Sequence, residues 1–241
     1  MRENKAILIV GIGGLGAPAA LAIARAHAAT ALGLIDPDPV ELTNLHRQVI
    51  YGGSDIGRSK VEAAARHLCD IDPTLGIEAF PFALDNDNAS RLLSRFDFIV
   101  DGTDSPETKF LINDVAVAAS KPFVYGGVLG TSGQVMTVLP GETACIRCLF
   151  EEAPDPAEVA SCREAGILGP VAGAIGNLQA REALAVVSGR ETEFSGGILT
   201  YDAAGPARVR FTKVNPRPGC LCGASDRASK GQPAGHVQVN N

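Results

Sequence analysis

The chain has 241 residues, of which 46% are hydrophobic and 20% charged, so it can bury a sizeable core. Its formal net charge of -6 argues against a general nucleic-acid-binding protein, because such proteins need clustered positive charge. Residues 6–24 are uncharged, but their glycines and proline fit a nucleotide loop better than a secretory signal or a membrane span. We therefore expect a folded protein that binds neither nucleic acid nor membrane.

Apolar periodicity and turn residues predict alternating strands and helices along the chain. Strands are predicted at Ala6–Val10, Leu32–Ile35, Ile77–Phe82, Phe98–Val100, Phe123–Val128, Gln134–Leu139, Ile198–Tyr201 and Arg208–Val214. Helices are predicted at Gly16–His27, Lys60–Ile71, Asn88–Arg95, Pro106–Ala119 and Gly173–Val187. Residues 37–57 form a long polar loop and residues 151–164 an acidic one.

This order predicts an α/β protein with a Rossmann-like, mainly parallel sheet and helices on both faces. The last strands extend the sheet in antiparallel fashion. We expect one domain over residues 1–223, with a nucleotide-binding part at about 1–130 and a second part at about 131–223. Residues 224–241 lack apolar periodicity and are expected to be a disordered tail.

A glycine-rich turn follows the first strand and opens the first helix. Its glycines let the backbone approach a phosphate at the helix start, although the same pattern also occurs in plain strand-to-helix turns. Asp36 ends the second strand, where a carboxylate can accept hydrogen bonds from a ribose. The pattern fits NAD, FAD or ATP. The candidate nucleotide-binding glycines are Gly11, Gly13, Gly14 and Gly16.

Polar and cationic residues after the second strand favour a triphosphate over a dinucleotide. Asn44, Arg47 and Lys60 follow Asp36, and cations stabilise the charge that builds on phosphates in a transition state. Taken singly, each cation could instead be a solvated surface charge. Asp104 follows the predicted strand at Phe98–Val100 and could hold Mg²⁺. The alternative for Asp104 is a helix N-cap, and neighbouring residues could divide the two roles.

Four of the six cysteines form two close pairs, Cys145-x-x-Cys148 and Cys220-x-Cys222. Such pairs flanked by glycine and proline favour a zinc site over disulfides, because the core is large enough to need no covalent staples. We infer a reducing cytoplasm. Cys69 is expected to lie in the core, on the apolar side of the helix that starts at Lys60.

Together these motifs resemble the ThiF/MoeB/HesA family, the bacterial relatives of ubiquitin-activating enzymes. The resemblance runs from about residue 6 to residue 223. The matching motifs are G-I-G-G-L-G from Gly11, L-I-D-P-D from Leu34, L-T-N-L-H-R-Q from Leu42, G-R-S-K-V-E from Gly57, D-G-T-D from Asp101, C-I-R-C from Cys145, C-R-E-A-G from Cys162, and the glycine-rich stretch 169–179.

The resemblance implies an adenylyltransferase that uses Mg·ATP on the C-terminal Gly-Gly carboxylate of a ubiquitin-like sulfur-carrier protein. It implies that Gly14 lies against the phosphates and that Asp36 holds the ribose. Arg47 and Lys60 would bind the phosphates with the help of Asn44, and Asp104 would ligate Mg²⁺. The part at about 131–223 would bind the carrier and the zinc.

The chain departs from the family at two points. Family members carry an N-terminal segment whose arginine reaches into the partner subunit's ATP site, whereas this chain starts almost at its first strand. Slow adenylation is therefore expected, and a degenerate ATP-binding or partner-binding scaffold is the alternative function. The last cysteine pair is C-x-C where the family has C-x-x-C. An NAD-dependent oxidoreductase is a third hypothesis, from a different class.

The resemblance also bears on partners. It implies a homodimer, to which the apolar helix Gly173–Val187 could contribute, although core burial explains that helix more simply. A separate protein would donate the sulfur, because no rhodanese-like extension follows the core. Cys162 corresponds to a cysteine that some relatives use for covalent linkage to the carrier. Its alternative is a bystander thiol.

Overall fold

The computed structural model describes residues 5–154, 166–206 and 208–223. Its strands are β1 (Ala6–Val10), β2 (Ala31–Ile35), β3 (Gly76–Phe80), β4 (Phe98–Asp101), β5 (Phe123–Leu129), β6 (Ser132–Val138), β7 (Gly197–Asp202) and β8 (Val209–Lys213). Its helices are α1 (Gly16–Ala26), α2 (Lys60–Ile71), α3 (Ala89–Leu93), α4 (Pro106–Ala118), α5 (Ile146–Leu149) and α6 (Gly169–Val187). Two short 3-10 turns, Leu42–Asn44 and Gly53–Asp55, lie between β2 and α2.

The eight strands form one sheet in the order β3-β2-β1-β4-β5-β6-β7-β8. The first five strands in this order form four parallel pairs, because helices connect them across the faces of the sheet. A tight turn with Gly130 at φ +57° then reverses the chain, so β6, β7 and β8 pair antiparallel. The predicted fold class is confirmed.

Two apolar layers cover the two faces of the sheet. Ile7 and Ile9 of β1 pack with residues of α1, α2 and α6. Leu8 and Val10 point to the other face and pack with α3 and α4. Because both faces are covered there, the central strands β1 and β2 are apolar throughout rather than alternating in polarity, whereas the edge strand β3 is mostly exposed. None of the helices in the described ranges is long and apolar enough to cross a membrane.

Close backbone contacts explain the glycines of the first turn. Gly11 has φ +82°, a conformation that side chains disfavour. A Cβ added to Gly16 would lie 1.9 Å from the carbonyl oxygen of Gly11. The turn can therefore bring the start of α1 directly against the end of β1 only with glycine at these positions.

Helix boundaries agree with the sequence at α2 and differ at α6. The predicted start of α6, Gly173, was wrong because Pro170 fits the first turn of a helix, where its missing N–H costs nothing. Burial against the sheet and α1 explains the apolar character of α6. The prediction that Cys69 lies in the core was also wrong: it is exposed, one residue beyond the buried Leu68 and on the solvent side of α2.

Candidate active site

A cavity of 960 Å³ lies at the carboxyl ends of the parallel strands, where ligand sites of open α/β sheets form. Of the residues predicted to bind nucleotide or Mg²⁺, only Gly16 does not line it. The predicted residues that line the cavity are Gly11, Gly13, Gly14, Asp36, Asn44, Arg47, Lys60 and Asp104. Residues far apart in the chain are thus brought to one place.

Asp36 follows β2 and is tied to the glycine turn. Its Oδ2 accepts a hydrogen bond from the Ile12 N–H at 2.8 Å, and its Oδ1 accepts one from the Asp38 N–H at 2.9 Å. Burial raises the pKa of Asp36, an effect that the nearby Lys60 opposes. Among the described residues, Oδ2 accepts only the bond from Ile12 and retains a lone pair, so the group can accept a further hydrogen bond at the cavity wall.

Lys60 is the first residue of α2 and is only 4% exposed. Its Nζ lies 2.8 Å from Asp38 Oδ2 and 3.5 Å from Asp36 Oδ1, so two carboxylates compensate a buried cation. Tyr51 holds the backbone beneath it, since its hydroxyl lies 3.2 Å from the Lys60 carbonyl oxygen and 2.9 Å from that of Ile12. The ammonium group is therefore fixed in place.

Arg47 and Asn44 belong to the segment between β2 and α2 and contact each other. Arg47 Nη2 donates to Asn44 Oδ1 at 2.7 Å, and Asn44 Nδ2 donates to Glu41 Oε2 at 3.2 Å. The Arg47 side chain lies so close to the glycine turn that a Cβ on Gly14 would be 3.6 Å from Arg47 Cδ. This places a guanidinium beside the backbone predicted to contact phosphates.

A buried carboxylate that the sequence analysis did not single out anchors the same segment to α2. Asp55 accepts hydrogen bonds from the Gly52 N–H at 2.9 Å, from His67 Nε2 at 2.8 Å and from Arg66 Nη2 at 3.0 Å. These bonds, the one from Gly52 first, lower the pKa of Asp55 to about 2. The segment that carries Arg47 is thereby held to the body of the protein at neutral pH.

The two aspartates of the D-G-T-D motif differ sharply. Asp101 is 0% exposed and pairs with Lys109, whose Nζ lies 3.1 Å from Asp101 Oδ2. Asp104 is exposed and lines the cavity. The N-cap of α4 is Ser105, whose hydroxyl accepts from the Thr108 N–H at 3.2 Å. Asp104 is therefore not needed as the cap.

Two further polar residues of the cavity wall were missed. Lys109 Nζ lies 4.9 Å from the ring centroid of Tyr125, in addition to its ion pair with Asp101. Gln48 is buried, and its Oε1 has no hydrogen-bond partner among the described residues. A Cβ on Gly13 would lie 3.5 Å from Gln48 Nε2, which places this amide under the glycine turn. No motif in the sequence marked Lys109 as a cavity residue. Gln48 could have been predicted, because it directly follows Arg47 in a motif already identified.

The other end of the cavity, called the apolar end below, carries several large apolar side chains. It is formed by residues on and near β5, β6, α4 and α5, among which Thr108, Lys109, Ser132 and Gln134 are polar. Its lining residues include Phe110, Val128, Gly133, Ile146, Phe150 and Ile167. The cavity thus has a polar end with cations and a carboxylate, and an apolar end that could hold an extended chain.

The four predicted zinc ligands meet in one cluster. The Sγ atoms of Cys145, Cys148, Cys220 and Cys222 all lie within 4.8 Å of one another, with closest pairs at 3.4 to 3.6 Å. Zn–S bonds of about 2.3 Å in a tetrahedron would require sulfur pairs about 3.8 Å apart, so the cluster fits a metal of this size. Burial raises the pKa of the Cys145 thiol to about 12.

Two predictions fall on residues that the structure does not describe. Cys162 lies between residues 154 and 166, outside the described ranges, and so does the predicted tail at 224–241. Nothing in the described residues bears on a covalent role for Cys162.

Comparison with known proteins gives a family match over almost the whole chain. The family model described as ThiF family matches residues 2–222. The sulfur carrier protein adenylyltransferase of Thermus thermophilus is 38% identical over 227 residues, which cover 92% of this chain and 83% of that protein. The adenylyltransferase and sulfurtransferase UBA4 of Candida albicans is 36% identical over 234 residues, 95% of this chain and 53% of that protein. The chain thus spans about half the length of relatives that bear this double name.

Solved structures match the same architecture. Escherichia coli MccB bound to ATP superposes with a TM-score of 0.78 at 21% identity, over 91% of this chain and 66% of that one. PaaA gives a TM-score of 0.72 at 22% identity, over 87% of this chain and 64% of that one. At this identity the likeness concerns the fold alone.

Proposed function

Since the chain belongs to the ThiF family, we propose that it adenylates the C-terminal Gly-Gly carboxylate of a ubiquitin-like sulfur-carrier protein. One carboxylate oxygen of the carrier attacks the α-phosphorus of ATP, the bond to the bridging oxygen breaks, and pyrophosphate leaves. The product is an acyl-adenylate. Sulfide supplied by a separate donor then attacks the acyl carbon, the bond to AMP breaks, and a thiocarboxylate remains with AMP released.

The polar end of the cavity supplies the groups for this reaction. Asp36 accepts hydrogen bonds from the ribose, while the turn at Gly14 lies along the phosphates. Arg47 and Lys60 place positive charge where negative charge grows on the leaving pyrophosphate. Lys60 suits this role because Asp36 and Asp38 already fix its position, so little reorganisation is needed during the reaction.

Asp104 would hold Mg²⁺ in this scheme. Its carboxylate is exposed to the cavity and does not cap α4. Carboxylates and phosphate oxygens are the ligands Mg²⁺ prefers, and the ion would reduce the charge of the triphosphate.

The four cysteines would hold a structural Zn²⁺, because four thiolates leave no open coordination position. A thiolate site of this kind fits a reducing cytoplasm.

We place the carrier tail in the apolar end of the cavity, where it reaches the α-phosphate from the side of β5 and β6.

For the assembly we propose a homodimer. Three large apolar side chains in the segment between β2 and α2 are exposed, namely Leu42, Val49 and Ile56, and a second subunit would cover them. Sedimentation should then give a dimer at micromolar concentration, and Leu42→Asp should shift it towards monomer.

The observation that carries the proposal is the convergence of the predicted nucleotide residues on one cavity in a chain with a 38% identical adenylyltransferase relative. The test is exchange of pyrophosphate into ATP, measured with a purified Gly-Gly-terminated carrier and with the same carrier lacking its last two residues. Exchange that requires the intact carrier supports the enzyme. No exchange with any such carrier of the same genome would favour a scaffold, and nicotinamide absorbance changes would favour an oxidoreductase.

A further inference from the structure

Arg147 connects the cysteine cluster to the wall of the cavity without lining the cavity itself. Its Nε lies 2.6 Å from Asp114 Oδ1 and its Nη2 lies 2.7 Å from Asp114 Oδ2, a two-point ion pair between α5 and α4. The guanidinium lies over the ring of Phe110, 5.0 Å from its centroid. Arg147 Nη1 also donates to the Glu151 carbonyl oxygen at 2.7 Å.

The residues beside Arg147 form the apolar end of the cavity. Ile146 and Phe150 line it together with Phe110, and the Ile146 N–H donates to Asn113 Oδ1 at 3.0 Å. Phe150 is 48% exposed, so part of its ring is free to contact another molecule. The Arg147–Asp114 pair, whose side chains are 36% and 44% exposed, adds a second link to the Ile146–Asn113 bond between the two elements that carry these side chains.

The cysteines alone do not fix this wall. Cys145 and Cys148 bracket Arg147, but Phe150 lies beyond the last of them, at the C-terminal end of α5. Its N–H donates to the Ile146 carbonyl oxygen at 2.9 Å, and Arg147 adds bonds on both sides of it, to Asp114 on α4 and to the Glu151 carbonyl oxygen. At the nucleotide end of the cavity, Asp36 and Lys60 make their hydrogen bonds and ion pairs with other groups than this pair.

We propose that Arg147 and Asp114 are positioning residues for the carrier: they hold α5 against α4 so that Ile146, Phe150 and Phe110 form the surface on which the carrier tail lies. This inference rests on the proposed function. It assigns to the pair control over carrier binding, separate from nucleotide binding and from the metal. A purely structural role would instead lower stability without changing the two substrates differently.

The test uses the whole chain with metal bound and a Gly-Gly-terminated carrier protein from the same genome. Arg147→Gln should raise the KM for the carrier about tenfold and change kcat and the Kd for Mg·ATP by less than about twofold, because only the tail surface is displaced. Zinc content should stay the same. Asp114→Asn keeps the shape of the side chain and should give the same pattern if Arg147→Gln folds poorly.

Two comparisons decide the outcome. Arg181→Gln is the matched control, since Arg181 on α6 forms an exposed ion pair with Glu193 and does not line the cavity. It should leave every parameter unchanged. An unchanged carrier KM in both Arg147→Gln and Asp114→Asn, with the wild type active, would overturn this inference alone. A wild type without carrier-dependent exchange would overturn the proposed function and this inference together.

Discussion

Lys60 Nζ lies 3.5 Å from Asp36 Oδ1, and both side chains are buried. Asp36 follows the end of β2 and Lys60 begins α2, so the pair joins the two ends of the segment that carries Asn44 and Arg47. This segment is long and has only two 3-10 turns of its own. The pair therefore fixes the base of the segment as well as placing a cation at the cavity.

Lys60→Gln is expected to slow turnover far more than it weakens ATP binding. The cation acts mainly on charge that develops as pyrophosphate leaves, so kcat should fall about a hundredfold. Pyrophosphate exchange gives kcat, and calorimetry gives the Kd for Mg·ATP. Lys121→Gln is the control, because Lys121 donates to the Phe96 carbonyl group and does not line the cavity. A loss of affinity as large as the loss of kcat would contradict the assigned role.

Substitutions of the two aspartates of the D-G-T-D motif should have different effects, one on activity and the other on the free energy of unfolding. Asp104→Ala should abolish exchange and leave the urea midpoint unchanged, because this side chain is exposed and does not cap α4. Asp101→Asn should lower the free energy of unfolding by about 2 kcal/mol, because it leaves Lys109, whose side chain is 12% exposed, without its buried counter-ion. Exchange that survives in Asp104→Ala would remove Asp104 from the catalytic residues.

Stability should fall in acid through Asp55. Its pKa is lowered to about 2 from 3.8, so its bonds stabilise the folded state above pH 4 and are lost as pH falls from about 4 to about 2. The contribution is about 1 kcal/mol once screening at the half-exposed partners Arg66 and His67 is considered. Urea unfolding at a series of pH values should show the wild type more stable than Asp55→Asn at pH 7. A difference that persists below pH 2 would exclude this cause.

Removal of the metal should destabilise the C-terminal half. Elemental analysis should find about one zinc per chain, and a chelator or Cys222→Ser should lower Tm, because the cluster joins distant segments. Cys69→Ser is the matched control, since Cys69 is exposed and lies outside the cluster. A metal-free protein with unchanged Tm and complete hydrogen-exchange protection would defeat the zinc assignment.

The sequence predicted the elements whose signals are local. The α2 helix and the strands β1 and β4 follow from apolar runs bounded by turn residues. The spacing within the two cysteine pairs predicts a shared metal site, and the four sulfur atoms do lie together. The one-residue spacing of Cys220 and Cys222 is accommodated, because their Sγ atoms lie 3.4 Å apart. Local patterns sufficed wherever one short stretch determines the outcome.

Contacts between distant segments could not be predicted in this way. No spacing rule connects Asp101 with Lys109 or Asp55 with Arg66, because the first pair depends on how α4 lies against the end of β4 and the second on how α2 lies against a loop. Solvent exposure separates Asp101 from Asp104, and it depends on where β4 ends in the folded sheet. The error at Cys69 has the same origin, since the helical period must be combined with the tertiary contact that buries one side.

The cysteine cluster also determines how the chain would respond to a pulling force. Cys148 and Cys222 are separated by 74 positions, and a bound metal would close this stretch into a loop. Tension applied through the two termini would pass across the metal–sulfur bonds and leave α6, β7 and β8 unloaded. Rupture of those bonds would release roughly 260 Å of hidden contour length in one step, at about 3.5 Å for each residue.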